Sequence, residues 1–290
     1  MAAVTAFLML TIPASAQELT GTLKHVKDTG TITLGVRESS IPFSYLSKSG
    51  QAIGYSIDLC NAVVDEVASE LDGMEVTVKT KPVTSESRIP ALLAGEIDLE
   101  CGSTTSSFER KKQVAFSPTF FVAGTKLLVK RSSPVASYRD LAGKTVVVTA
   151  GTTNEAAVKA LSDKQHLGIN FLIGRDHAES FAMLTQGKAD AFATDDVLLY
   201  GLIATSPQGG DYHVVGDYLS YDPYGLMFRK GDPDFAAVVE RSFTKLAESR
   251  DIVDLYDKWF EKRLPFTGER LDLPMSPQLV EFLHVMGLPD

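Results

Sequence analysis

The stretch Lys144–Leu161, KTVVVTAGTTNEAAVKAL, decides the fold because it holds a strand, a turn and a helix in direct succession. Its β-branched run favours a buried strand, and the residues after the turn have the length and composition of a helix. The same order occurs earlier, where TITLGV at 31–36 precedes YSIDLCNAVVDEVASEL at 55–71. Because the pattern starts twice, the sequence predicts two α/β lobes of similar plan.

Each half continues the alternation of strands and helices. In the first half, MEVTVKTKPV and IDLECGS are predicted strands, with SRIPALLAGE as a short helix between them. In the second half, INFLIG, HAESFAMLTQGK, ADAFAT and DDVLLYGLIA are predicted as strand, helix, strand and helix. Repeated βαβ order predicts a parallel, twisted sheet with helices on both faces in each lobe.

Two short segments separate the halves, FFVAGTK at 120–126 and SYDPYG at 220–225, and each can be a crossing strand. We therefore expect lobe 1 to comprise residues 17–122 and 224–290, and lobe 2 to comprise residues 123–223. Two crossings make a hinge and a cleft. The C-terminal stretches PDFAAVVERSFTKLAESR and DIVDLYDKWFEKR carry apolar stripes at helical spacing, which we interpret as core packing.

The composition fits an ordinary globular protein large enough for two cores, with 290 residues of which 44% are hydrophobic. The net charge of -9 argues against nucleic acid and against polybasic attachment to an anionic membrane. Residues 1–16, MAAVTAFLMLTIPASA, are uncharged and end in a small-x-small pattern. Although a basic start is missing, they predict a signal peptide that is cleaved after Ala16, and so an exported protein without a membrane-spanning segment.

The only cysteines are Cys60 and Cys101. In an oxidising compartment such a pair can form a disulfide, and two buried free thiols are the other interpretation that stays open at this point. Two cysteines without CxxC spacing do not support a zinc site, and we expect no metal and no cofactor.

The candidate binding residues lie at the ends of predicted strands. In an open α/β sheet, ligands bind beyond the carboxyl ends of the strands. The candidates in the first half are Arg37, Ser85, Arg88, Ser103, Thr105 and Arg110, and those in the second half are Thr152, Thr153, His177 and Asp195. Taken singly, each arginine or histidine can be a surface residue, and each Ser, Thr or Asp can be a helix cap or turn former. Their joint position at strand ends in both halves favours a site.

The charges of these candidates indicate the ligand. Three arginines at neighbouring strand ends repel one another, and an anionic ligand relieves that repulsion. Guanidinium groups match carboxylates in bidentate geometry, while Asp195 suits an ammonium. With His177 neutral, three arginines and one aspartate carry +2. The set therefore suits a ligand with two carboxylates and one amine.

At these residues the sequence resembles the family 3 periplasmic solute-binding proteins of polar amino-acid ABC transporters, and more narrowly the branch that binds glutamate and aspartate. The resemblance extends from about Leu23 to Phe260. The motifs that carry it are RESSIPFSY, GYSIDLCNAVV, TSESRIPALLAGEIDLECGSTT, ERKKQVAFS, KTVVVTAGTTNE, RDHAESF, DDVLLYG and YGLMFRKGDP. YDPYG and the stretch LPFTGERLDLPMSPQL match nothing that the resemblance assigns to function, and we expect both to be peripheral.

The resemblance implies a type II periplasmic-binding-protein fold, with two Rossmann-like lobes, a two-strand hinge and the ligand in the cleft. It implies that Arg110, Thr105 and Thr153 hold the α-carboxylate, that Asp195 and Ser103 hold the α-ammonium, and that Arg37, Ser85, Arg88 and His177 surround the side-chain carboxylate. A periplasmic monomer that closes on its ligand and delivers it to membrane permease subunits is then expected.

An enzyme on the same fold is the alternative, for example a periplasmic dehydratase of prephenate or arogenate type. Such an enzyme needs a positioned general acid, for which Glu100 and Glu155 are the candidates. We expect a binding protein rather than an enzyme.

Overall fold

The computed structural model of the 290-residue chain describes residues 18–265 and 268–289. The predicted signal peptide and its cleavage site lie outside the described residues. The strands are β1 Thr31–Val36, β2 Ser39–Ser40, β3 Ser44–Leu46, β4 Ala52–Ile53, β5 Thr77–Pro82, β6 Leu99–Cys101, β7 Val114–Phe116, β8 Phe121–Ala123, β9 Thr125–Lys130, β10 Thr145–Thr149, β11 Asn170–Gly174, β12 Ala191–Asp195, β13 Tyr212–Val215, β14 Asp222–Tyr224 and β15 Met227–Arg229.

Ten α-helices accompany these strands in the described part of the chain. They are α1 Gly21–Thr29, α2 Tyr55–Glu70, α3 Arg88–Leu93, α4 Phe108–Lys111, α5 Thr153–Gln165, α6 His177–Thr185, α7 Asp196–Thr205, α8 Pro233–Glu248, α9 Asp251–Tyr256 and α10 Pro277–Val285. A π-helical segment, Asp257–Glu261, continues α9.

Two five-stranded sheets of the same plan form the framework. The first has the order β5-β1-β6-β15-β7, and the second has the order β11-β10-β12-β9-β13. We call the first sheet with its helices lobe 1 and the second sheet with its helices lobe 2. The prediction of two α/β lobes is confirmed.

The prediction of purely parallel sheets was wrong for one strand in each lobe. The three strands β5, β1 and β6 are parallel, as are β11, β10 and β12, but β15 and β9 run antiparallel to their neighbours. Both exceptions follow a crossing between the lobes. The chain enters each lobe from the cleft, where the parallel strands end, so the entering strand runs in the opposite direction.

The crossings are β8 and β14, which pair antiparallel with Phe121 opposite Tyr224. Aromatic rings anchor this pair to lobe 1. The ring of Phe121 stacks on Phe260 with centroids 4.9 Å apart, and Tyr224 meets Phe43 edge to face at 5.1 Å. The hinge strands therefore leave from a fixed apolar base in lobe 1.

Apolar side chains cover both faces of each sheet. In lobe 1 the larger cluster includes α2, α8 and α9, and a smaller one lies under α3 around Leu92 and Ile97. In lobe 2, two clusters flank the sheet around Val146 and Phe192. The apolar stripes predicted for the C-terminal helices are buried as core, with Phe235, Val238, Val239, Phe243, Leu246, Ile252, Tyr256, Trp259 and Phe260 all below 10% exposed.

Cys60 and Cys101 are joined in a disulfide, with their Cα atoms 6.1 Å apart. The bond ties α2 to the end of β6, directly before the loop that holds Ser103. Both cysteines are fully buried. The disulfide thus fixes the strand end from which part of the candidate site begins.

We expect the double variant C60S/C101S to lower the free energy of unfolding by about 4 kcal/mol, because the bond closes a loop with a sequence separation of 41 residues. Urea denaturation of the oxidised protein and of the variant measures this difference. The matched control is the wild-type protein in reductant at equal ionic strength, which should approach the variant. Equal midpoints for oxidised protein and variant would contradict the prediction.

Candidate functional site

The candidate site lies where the carboxyl ends of β1, β6, β10 and β12 face one another across the hinge. The structure brings most of the predicted residues together there. A small cavity of about 10 Å³ is lined by Ser85, Arg88, Ser103, Thr105, Thr152, Thr153, Asn154, His177, Asp195 and Leu198. Of the predicted residues, Arg37 and Arg110 do not line this cavity. Arg110 donates to the carbonyl of the wall residue Thr105, and Arg37 lies close enough to lower the pKa of His177.

Arg37 follows β1 and is 1% exposed. Its Nη1 and Nη2 have no hydrogen-bond partner among the described residues. Burial, followed by the charge of Arg88, lowers its pKa to about 10, while Glu100 and Asp176 act in the opposite direction. The guanidinium borders a neighbouring cavity that it shares with Ser39, Ser87 and Asp176.

Arg88 begins α3, and a chain of hydrogen bonds joins it through Thr104 to Glu100. Its Nη1 donates to Thr104 Oγ1 at 2.5 Å, and Thr104 Oγ1 donates to Glu100 Oε2 at 2.5 Å. Glu100 is fully buried, and its Oε1 lies 4.0 Å from Arg88 Nη1. Burial lowers the pKa of Arg88, and the carboxylate of Glu100 opposes that effect. Among the described residues, Arg88 Nε and Glu100 Oε1 have no hydrogen-bond partner.

Arg110, on α4, bridges the two lobes. Its Nη1 donates to the carbonyl of Thr105 at 3.0 Å, and its Nη2 donates to the carbonyl of Gly151 in lobe 2 at 3.1 Å. Burial, with the charge of Arg88 adding to it, lowers its pKa to about 9. Gly151 has φ +71°, and a Cβ there would lie 2.7 Å from the Cα of Glu86 in lobe 1. Glycine therefore permits this close approach of the lobes.

Asp195 ends β12 and is 3% exposed. Its Oδ1 accepts from Asn154 Nδ2 at 2.8 Å, and its Oδ2 accepts from the hydroxyl of Tyr224 at 2.5 Å. The side chain makes no capping bond to α7. Burial and the nearby carboxylate of Asp222 raise its pKa to about 7. Asp195 is thus a buried acid whose charge a nearby cation would stabilise.

The raised pKa of Asp195 gives a testable pH dependence. We expect its carboxyl to titrate near 7 in the ligand-free protein, where the unfolded chain titrates near 3.8. Between these values the folded protein holds a proton that the unfolded chain has released, so this group lowers stability as the pH rises from 4 to 7. Carbon-13 NMR of the carboxyl carbons measures the titration, and D195N identifies the resonance. A carboxyl that titrates near 4 would refute the expectation.

His177 begins α6 and is 2% exposed. Ser180 Oγ donates to the carbonyl of Asp176 at 2.9 Å and lies 2.8 Å from Thr149 Oγ1. Thr149 Oγ1 also lies 3.1 Å from His177 Nδ1. These contacts hold the imidazole ring in place. Burial and the charges of Arg37 and Arg88 hold its pKa well below 6.5.

Three of the candidate hydroxyl groups differ in whether they are free to hydrogen-bond a ligand. Thr152 is the N-cap of α5, where its Oγ1 accepts from Glu155 N at 3.1 Å and donates to the carbonyl of Thr149 at 2.7 Å. Ser85 and Ser103 are buried, and their Oγ atoms have no hydrogen-bond partner among the described residues. These two serines present free donors and acceptors to the cavity, whereas the Thr152 side chain is occupied in capping.

Sequence reasoning missed several residues at this site. Asn154, Asp222 and Tyr224 all contact predicted site residues, and Glu100, predicted only as a candidate catalytic acid, accepts from Thr104 beside Arg88. The expectation that YDPYG is peripheral was wrong, because β14 lies between the lobes and points Asp222 and Tyr224 at the cluster. The signal available was the crossing itself, since a strand that crosses at a cleft borders whatever the cleft contains.

These additions change the charge of the cluster. The expectation of +2 counted three arginines against Asp195 alone. Glu100 and Asp222 are also buried within the cluster, at 0% and 1% exposed, so three carboxylates face three guanidiniums. The formal charges balance when all three carboxylates are ionised, and the position of each charge decides which ligand group that part of the site can bind.

Two α/β lobes on a two-strand hinge, with cations and hydroxyls buried between them, define a hinged ligand-binding protein. The chain belongs to the bacterial extracellular solute-binding proteins, family 3, whose family model matches residues 32–262. Among the described helices, none combines the length and the apolar composition needed to cross a bilayer.

The chain is similar over most of its length to characterised solute-binding proteins. The L-glutamate/L-aspartate-binding protein of Pseudomonas aeruginosa is 47% identical over 95% of this chain and 91% of its own length. The glutamate/aspartate import solute-binding proteins of Salmonella typhimurium and Escherichia coli are 40% and 38% identical, each over 89% of this chain and 85% of their own length. These relatives are solute-binding transport proteins and not enzymes.

Solved structures show the same fold. A mutant of ArgBP from T. maritima superposes with a TM-score of 0.74 at 29% identity, covering 83% of this chain and 99% of its own. The ancestral amino acid-binding protein AncCDT-1, a precursor of cyclohexadienyl dehydratase, superposes with a TM-score of 0.71 at 31% identity over 82% of this chain and 99% of its own.

Proposed function

We propose that this protein is the periplasmic substrate-binding component of an amino-acid ABC importer and that it binds L-glutamate, L-aspartate or both. The observation that carries the proposal is a set of buried cationic and hydroxyl atoms that have no hydrogen-bond partner in the part of the chain that the structure describes. Arg37 Nη1 and Nη2, Arg88 Nε, Ser85 Oγ and Ser103 Oγ all belong to it. Buried polar groups are stable only when paired, so these atoms favour an anionic, hydrogen-bonding ligand.

The side-chain carboxylate of the ligand is assigned to Arg37, Ser85, Arg88 and His177. Arg88 and Ser85 line the cavity with His177, and Arg37 lies close enough to influence the pKa of His177. Each charge-assisted hydrogen bond contributes about 1.5–3 kcal/mol. This cluster separates a ligand with an acidic side chain from one with an amide.

The α-carboxylate is assigned to Arg110, helped by Thr105 and by Thr153 at the start of α5. The first N–H groups of a helix have no intrahelical partner and attract anions. The α-ammonium is assigned to Asp195 and Ser103. A cation beside Asp195 stabilises the ionised carboxylate and lowers the pKa that burial has raised.

The lobes are proposed to divide near residues 122 and 224 and to close on the ligand by bending at β8 and β14. Ligand bound to lobe 1 then recruits Thr153, His177 and Asp195 from lobe 2, so that the closed form gains contacts that the open form lacks. A periplasmic monomer, cleaved after Ala16, would present this closed form to the permease subunits. The import role of the Salmonella and Escherichia coli relatives supports the proposal.

The dehydratase alternative has less support. Neither candidate acid is among the residues that line the cavity, so neither is placed to protonate a leaving group there. Glu155 accepts from Gly151 N at 2.9 Å and pairs with Lys159 at 2.7 Å, while Glu100 accepts from Thr104 beside Arg88.

Isothermal titration of the mature, ligand-stripped protein with L-glutamate, L-aspartate, L-glutamine and L-arginine tests the function. We expect dissociation constants of about 1 μM or lower for one or both acids, equivalent to about -8.2 kcal/mol, and at least tenfold weaker binding of the other two. Tighter binding of glutamine or arginine, or no binding at all, would overturn the proposal. Turnover of prephenate would favour the enzyme instead.

A further inference from the structure

Asp222 occupies an unusual position for a hinge residue. It begins β14, is 1% exposed, and places its carboxylate between the two lobes. Its Oδ1 accepts from Thr105 Oγ1 of lobe 1 at 3.1 Å and from Thr153 Oγ1 of lobe 2 at 2.8 Å. Its Oδ2 accepts from Ser220 Oγ in the segment before β14. One carboxylate thus connects both lobes and the hinge.

The number of hydroxyl protons on Thr105 and Thr153 decides what these two side chains can offer a ligand. The oxygens of Thr105 and Thr153 are 3.1 Å apart, and each hydroxyl has a single proton. A carboxylate can only accept, which leaves two arrangements. In the first, both threonine hydroxyls donate to Asp222. In the second, one threonine donates to the other threonine, which donates to Asp222. In either arrangement no hydroxyl proton is left for a ligand, and the two oxygens offer only lone pairs.

Thr105 and Thr153 line the same cavity as Asp195. The lone pairs of these two hydroxyls and the carboxylate of Asp195 suit a ligand group with several N–H donors, such as an ammonium. They do not suit a carboxylate of the ligand, which is itself only an acceptor. The charge of Asp222 acts in the same direction, since it also raises the pKa of Asp195. The two hydroxyls therefore differ from the Ser85 and Ser103 hydroxyls, which have no hydrogen-bond partner within residues 18–265 and 268–289.

We propose that Asp222 is a positioning residue which turns the hydroxyls of Thr105 and Thr153 into acceptors for the ligand's amino group. Because the two threonines belong to different lobes, the same carboxylate links recognition of the amino group to contact between the lobes. The inference rests on the proposed function and changes one part of it. Thr105 and Thr153 serve the α-carboxylate through their backbone N–H groups only, and their hydroxyls serve the amine.

The test compares L-glutamate with glutarate, which has the same two carboxylates and no amino group, by isothermal titration of the wild type and of D222N. Asparagine keeps the shape but has one acceptor oxygen and two N–H donors, so the acceptor wall loses its order. We expect D222N to weaken L-glutamate by at least tenfold and to leave glutarate within threefold. The preference for L-glutamate over glutarate should fall accordingly.

The matched control is D217N, the same chemical change at an exposed aspartate five residues earlier in the chain, which should leave both affinities unchanged. Where D222N fails to fold by circular dichroism, T153V carries the test, since it removes one of the two acceptors and keeps the side-chain shape. The same loss of preference is expected.

An equal loss of affinity for both compounds would show that Asp222 only supports the hinge and would overturn this inference, as would an unchanged preference. Wild-type protein that binds neither acidic amino acid would overturn the proposed function together with the inference. Tight wild-type binding with an unchanged preference in D222N would leave the proposed function intact and remove only the role of Asp222.

Discussion

We expect the replacement of Arg110 by glutamine to lower the affinity for L-glutamate and L-aspartate by about 10²- to 10⁴-fold. Arg110 is 9% exposed and reaches both lobes, with Nη1 on the Thr105 carbonyl and Nη2 on the Gly151 carbonyl. Truncating one partner of a buried charge pair costs about 3–5 kcal/mol, mostly because the other charge is left unpaired. R110Q removes the cation for the α-carboxylate and also a contact between the lobes, so both L-glutamate and L-aspartate are affected.

Isothermal titration measures this loss, and K112Q is the matched control. Lys112 lies on the same turn, is exposed, and pairs with Glu109 at 2.7 Å on the surface. Its removal makes the same change in net charge, and an exposed pair contributes only about 0–1 kcal/mol. Equal effects of R110Q and K112Q would mean that overall charge, and not a carboxylate contact, governs binding.

The second large effect is expected at Arg88. R88M removes the guanidinium that holds Thr104 and Glu100, and it leaves the buried carboxylate of Glu100 without its nearest cation. We expect a loss of about 3 kcal/mol in the free energy of unfolding, or roughly 6–12 °C in the melting temperature for a chain of this size. We also expect the affinity for L-glutamate to fall by at least 100-fold, with a smaller change for L-glutamine.

The double variant R88M/E100Q separates the two roles of Arg88. Neutralising Glu100 removes the uncompensated charge, so the melting temperature should recover by at least half. The affinity for L-glutamate should stay low, because the cation for its side-chain carboxylate is still missing. Recovery of both properties together would show that Arg88 acts only through the stability of lobe 1. Thermal unfolding and isothermal titration of the wild type, R88M, E100Q and R88M/E100Q complete this double-mutant cycle.

The sequence by itself determined the two-lobed plan, since β-branched runs and amphipathic stretches alternate from the first strand through α7 in the order that makes βαβ units. It also placed Arg37, Arg88, Asp195 and their companions at strand ends, because the carboxyl ends of parallel strands share one edge of a sheet. Periodicity and chain order are local properties, and a single sequence contains them.

The tertiary structure alone decided which groups face one another. Asp222 and Glu100 looked ordinary in the sequence, because a short crossing strand and a strand interior carry no binding pattern. Only the folding of β14 between the lobes puts Asp222 against Thr105 and Thr153, and only the loop after β6 brings Thr104 between Glu100 and Arg88. Hydrogen bonds and charges act over a few ångströms between residues far apart in the chain, such as Thr105 and Asp222, which are 117 positions apart. The polarity of each hydroxyl and the charges of the site therefore arise from the fold.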